Sequence, residues 1–179
     1  MSLILHRGVT LLELLIVLGL VVLLSAIGVP SFSHARQEHQ LLAAAYALRG
    51  DIQRARAEAQ QRQLATLAIH FFNPGASGWC YRLSDRPDSQ CHSCADLCDL
   101  GGDGQWRGAD HAAFPDVSLA EVAYQGEELG VGGRHGTLSP GHILLRSGNL
   151  QLKVITSGLG RVRFCSVGGQ LAGVSACLS

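Results

Sequence analysis

Residues 9–32 read VTLLELLIVLGLVVLLSAIGVPSF, an apolar run long enough to cross a bilayer as a helix and interrupted by a single charge, Glu13. A plain membrane anchor fits the length, with its start on the cytoplasmic side because Arg7 and His6 precede it. A secretory signal peptide fits less well. The basic region before the run is minimal, and the small residues around 25–28 lead into more helix-forming sequence. Glu13 separates these readings: an ionised carboxylate in hydrocarbon costs several kcal/mol, and an anchor alone gains nothing from it. It requires a partner.

Beyond the run, residues 34–62 contain no Gly or Pro except Gly50 and are rich in Ala, Gln, Arg and Glu, so the helix is expected to continue. Gly28 and Pro30 mark a point where it could kink. Leu41, Ala45, Leu48, Ile52, Ala55 and Ala59 recur at spacings of four and three and fall on one stripe. Arg49, Gln53, Arg56 and Gln60 fall on another. The apolar stripe is expected to pack on a sheet. Arg49, Arg54, Arg56 and Arg62 are expected on a solvated face, with intrahelical pairs to Asp51 and Glu58.

The rest of the chain reads as short strands. Residues 64–72 and 78–83 flank a turn at Asn73, Pro74 and Gly75, which is a hairpin signal. Residues 84–116 have little periodicity and are expected to form a loop. Further strands are expected at 119–124, 142–146, 150–156 and 161–167, with turn residues at 147–149 and 157–160, as in an antiparallel meander. A long helix followed by such strands predicts an α+β fold: the N-terminal helix, transmembrane and then amphipathic, covers antiparallel β-sheet in a disulfide-stapled globular domain. A length of 179 residues allows one domain on a stalk.

The six cysteines, Cys80, Cys91, Cys94, Cys98, Cys165 and Cys177, all follow the helix. An even count confined to one region suggests disulfides in an oxidising compartment. Cys91-x2-Cys94-x3-Cys98, with His92 and Cys80 nearby, also has spacing that zinc or an iron–sulfur cluster could use. Export to an oxidising space argues for disulfides and no metal. Cys165 and Cys177 close a short loop and are the favoured pair; the partner of Cys80 stays open.

Lys+Arg and Asp+Glu both number 14, so no global basic field attracts a polyanion and any such site must be local. The local candidate is Gly160-Arg161-Val162-Arg163-Phe164-Cys165. In a strand Arg161 and Arg163 share a face, and two guanidinium groups beside a Gly-rich turn could grip successive phosphates while a disulfide at Cys165 holds the turn. The alternative is an ordinary exposed strand edge. The histidines are scattered and there is neither a P-loop nor a dinucleotide fingerprint, so no enzyme and no cofactor is expected.

Gly8, Val9, Thr10, Leu11, Leu12 and Glu13, followed by the apolar run to Pro30, resemble the class III signal of the type IV pilin family. In that family a prepilin peptidase cuts after the glycine and methylates the new N-terminus, and the glutamate meets the terminal amine of a neighbouring subunit. The resemblance implies cleavage between Gly8 and Val9 and makes Glu13 the assembly residue. The family usually has Phe where this chain has Val9. Within the class, Trp79-Cys80-Tyr81, the strands from His142 onward and the terminal G-R-x-R-x-C pattern resemble minor pilins of the FimT and FimU type, with a GspH-like domain. No match is claimed for 84–136.

This resemblance implies a leader over 1–8, a transmembrane and assembly helix over 9–33, a stalk over 34–63 and a GspH-like β domain over 64–179. The implied location is the inner membrane with a periplasmic domain, then the pilus. Implied partners are other pilin subunits, the peptidase and DNA, because FimT-type proteins are implicated in DNA uptake during natural transformation. Arg161 and Arg163 are then the DNA contacts, and binding should be weak, salt-sensitive and indifferent to sequence. The alternative within the class is a structural GspH-type pseudopilin of a type II secretion system, whose hairpin arginines touch other subunits.

Overall fold

The computed structural model describes residues 10–73, 75, 78–85, 91–96, 98, 107–168 and 171–177, without the side chains of 27–31 and 66. Gly8 and Val9, and so the expected leader cleavage, lie outside the described residues. The fold is α+β with antiparallel sheets and disulfides. Among the described residues one helix, α1 (Leu11–Gln61), precedes eight strands: β1 (Thr66–Phe72), β2 (Cys80–Ser84), β3 (Gly108–Asp110), β4 (Ser118–Ala123), β5 (Glu128–Gly132), β6 (Gly141–Ser147), β7 (Leu150–Thr156) and β8 (Val162–Ser166). A short 3-10 turn, Gln125–Glu127, links β4 to β5.

The chain divides into two units, 1–36 and 37–179. In the first, Thr10 caps α1: its Oγ1 accepts the Glu13 backbone N–H at 3.3 Å. Thr10 and Glu13 thus occupy the first and last positions of a capping box, where a carboxylate also suits the positive end of the helix dipole. From Leu11 to Leu24 the large apolar side chains are 52–79% exposed and point to every side of the helix. Among the described residues no helix is long and apolar enough to cross a membrane. The expected span over 9–33 is not met on them: the apolar stretch with described side chains ends at Ala26, short of the roughly 20 residues required.

The second unit contains the buried core of the described residues, which begins at Leu41. The predicted apolar stripe, Leu41, Ala45, Leu48, Ile52, Ala55 and Ala59, is buried to 1% exposure or less. The helix ends in a Schellman arrangement, with Gln63 N–H donating to Gln60 O at 3.3 Å and Leu64 N–H to Ala59 O at 3.0 Å. Gly133 lets its loop approach this helix exit closely, since a Cβ there would collide with the carbonyl of Leu64.

The strands form two four-stranded sheets, ordered β3-β2-β1-β5 and β4-β6-β7-β8, with every pairing antiparallel. The hairpins β1-β2, β6-β7 and β7-β8 follow the sequence signals. Two strands do not: β3 lies inside the expected 84–116 loop, and β5 lies between two expected elements. Trp79 and Phe71 fill the core, and the Trp79 Nε1–H donates to Val117 O at 2.7 Å.

Candidate functional site

The second hairpin of the β4-β6-β7-β8 sheet ends in a turn pinned from several directions. Within it, Gly160 N–H donates to Ser157 O at 2.8 Å, Ser157 N–H to Arg161 O at 3.0 Å and Arg161 N–H to Ser157 Oγ at 3.3 Å. Gly160 adopts φ 81°, which favours glycine, and any Cβ there would meet the Arg56 guanidinium. From inside, the buried Thr156 hydroxyl donates to Ser139 O at 2.7 Å and accepts from Tyr124 OH at 2.9 Å.

Helix α1 supplies the third anchor. Arg56 Nε donates to Gly136 O at 2.8 Å, and its Nη1 donates to Gly160 O and to Gln53 Oε1, both at 3.1 Å. This corrects the expectation that Arg56 belongs to a solvated face with an intrahelical carboxylate partner. Its side chain reaches instead to the carbonyls of two loops. Arg49 is exposed, as expected, and its guanidinium lies 5.7 Å from the ring centre of Phe164, which Tyr46 meets edge-on at 5.3 Å. Arg54 and Arg62 do pair locally, with Asp51 at 3.9 Å and Glu58 at 2.8 Å.

Alternation along β8 turns Val162 inward and leaves Arg163 exposed, with Arg161 exposed one pleat earlier. Arg56, Leu159, Arg161 and Arg163 surround an open concavity of about 440 Å³. Among the described residues none of these three arginines joins an ion pair. The partners of Arg56 are neutral, so its charge remains. Three cationic groups therefore converge on a rigid turn, suited to an anion approached from solvent.

Below the turn Cys165 is joined to Cys177, and the returning segment pairs with the strand end: Ser166 N–H donates to Ser175 O at 2.8 Å and Cys177 N–H to Ser166 O at 3.0 Å. The remaining cysteines pair as Cys80–Cys94 and Cys91–Cys98. That pairing uses the thiolates a metal would need, and among the described residues no cluster of ligands could hold one. Arg82 lies buried beside this loop, donating to Tyr81 O and Ala109 O at 3.1 Å and lying 3.6 Å from Asp110. The buried Tyr81 hydroxyl donates to Asp51 at 2.8 Å, and burial followed by that carboxylate pushes its pKa well up.

Arg161 and Arg163 were legible from alternation alone. Arg56 was not, because its acceptors lie 80 and 104 residues away and no local pattern marks them. Thr10-x-x-Glu13 was legible as a capping box but invites a membrane reading first. No family model, curated protein or solved structure matches this chain. The pilin resemblance rests on the residues quoted for it.

Proposed function

We propose that the chain is a minor pilin of a type IV pilus whose globular domain binds the nucleic-acid backbone through Arg161 and Arg163, in DNA uptake during natural transformation. The observation that carries the assembly part is the two-part character of α1. Its early turns expose apolar side chains on all sides, while from Leu41 it forms the core of a β domain. A helix apolar all round needs a non-aqueous neighbour, and a membrane before assembly and a filament core afterwards supply one. On this reading residues 9–33 complete a span, Glu13 takes the terminal amine of the next subunit as its partner, and no catalysis is required.

Two tests address it. Co-expression with a prepilin peptidase should give a mature chain starting at N-methylated Val9, read by terminal sequencing and mass spectrometry, and Gly8→Leu should abolish processing. An unprocessed native chain would remove the pilin reading. The DNA part is tested on residues 37–179, which hold the buried core of the described residues, by titrating duplex DNA at low and moderate salt. Binding should weaken steeply with salt, and Arg161→Gln with Arg163→Gln should reduce affinity at least about tenfold at low salt, because each lost phosphate contact removes a counterion-release term. Processing without any DNA binding favours the structural pseudopilin alternative, in which the hairpin arginines face another subunit.

A further inference from the structure

The register of the second sheet extends the cationic surface well beyond the turn. Along β6 and β7 the side chains of Ile143, Leu145, Leu152 and Val154 are buried, so alternate residues face outward. Ile155 lies opposite Arg163, Lys153 opposite Cys165, Leu144 opposite Lys153, and Arg146 opposite Gln151. From Arg161 to Arg163 is one pleat step along a strand, about 7 Å. From Arg163 to Lys153, and again from Lys153 to Arg146, is one strand across and one pleat on, about 7–8 Å each.

Four cations thus form an evenly spaced diagonal across three strands. The four strands of this sheet contain one carboxylate, Glu121, which lies off the diagonal at 3.5 Å from His142. In a chain with no net charge, this face concentrates one sign. The surface also has relief. Arg163 borders the concavity at the turn and a second one of about 350 Å³, lined by His142, Lys153, Ile155 and the segment held by the Cys165–Cys177 disulfide. An elongated ligand passing over Arg163 meets both.

We infer that the nucleic-acid surface is this diagonal, Arg161, Arg163, Lys153 and Arg146, running along one phosphodiester backbone, and not the hairpin tip alone. The inference rests on the nucleic-acid reading above and gives it a footprint. Repeated, evenly spaced single charges suit a polymer of monoanionic phosphodiesters, and outward side chains on a sheet reach phosphates without reading bases.

The test uses the full chain in neutral detergent and a labelled duplex of about 20 base pairs, with affinity measured across a salt series. Four phosphate contacts give a log–log slope near −3.6, against about −1.8 for the two arginines at the turn. Lys153→Gln and Arg146→Gln should each move the slope toward zero by about 0.9, Lys153→Arg should restore it, and Arg134→Gln, on an exposed turn between β5 and β6 and outside the four strands of this sheet, should leave it unchanged. Unchanged melting temperatures confirm that each outward substitution leaves the fold intact. Native slopes in both Lys153→Gln and Arg146→Gln, with loss of binding in Arg161→Gln and Arg163→Gln, would overturn the diagonal and leave the turn as the site. An equal effect of Arg134→Gln would overturn it as well, since binding would then follow total charge. Absence of binding by the native chain at low salt would remove both the diagonal and the reading beneath it.

Discussion

Arg56 is a positioning residue, since its guanidinium bridges the carbonyls of two loops and leaves the ligand-facing work to the exposed Arg161 and Arg163. Replacing it by Ala leaves Gly136 O and Gly160 O without their donor in a half-buried place, where a lost hydrogen bond costs about 1–3 kcal/mol. Lysine keeps the charge but cannot span two acceptors with a planar fork. Arg56→Ala and Arg56→Lys should therefore both lower stability in urea denaturation and speed amide exchange at residues 157–161, with the alanine change larger. Native exchange rates in Arg56→Lys would mean that the turn holds itself. Single residues were legible in the sequence where the periodicity of one element decides them, as for Arg163 or Ile52, and illegible where a side chain reaches another element.

At the scale of elements, the exit from α1 is determined by backbone geometry more than by residue preference. Gln63 takes φ 51° at the position where a Schellman arrangement favours glycine, so a side chain sits in the left-handed region. Gln63→Gly should raise stability by roughly 0.5–1 kcal/mol, measured as a shift in denaturation midpoint at constant m-value, because both capping hydrogen bonds are kept. A lower midpoint would mean that glycine's extra freedom in the unfolded chain outweighs the relieved strain. The same geometry explains which elements were readable. The helix and β7 declare themselves by long periodic patterns, whereas β3 has three residues and β5 includes Gly130 and Gly132, so pairing with their neighbours makes them strands. The Cys80–Cys94 and Cys91–Cys98 pairs likewise come from chain folding in the loop, and spacing alone left them open.

For the molecule as a whole, the response of stability to acid should carry a contribution from one histidine on the sheet opposite the cationic face. His70 lies in β1, partly buried beside Phe72, with Nδ1 3.8 Å from Glu128 of β5 and with His92 also acting on it. Burial holds its pKa below the ordinary 6.5, the Glu128 carboxylate pulls it up less strongly, and His92 adds to the depression. The unfolded chain then binds a proton as pH falls through 6.5 while the folded one resists, so the unfolded state holds more protons in that window and stability rises with pH. The His70 contribution is complete above 6.5 and is lost progressively on acidification toward the lower folded value. His70→Gln removes the titrating group, so the native chain should lose more stability than the variant between neutral pH and mild acid, measured by urea denaturation at matched ionic strength. Equal losses would mean that the imidazole charges freely in place, with Glu128 offsetting its burial. A larger loss in the variant would reverse the sign and make the His70–Glu128 pair a stabilising one in acid.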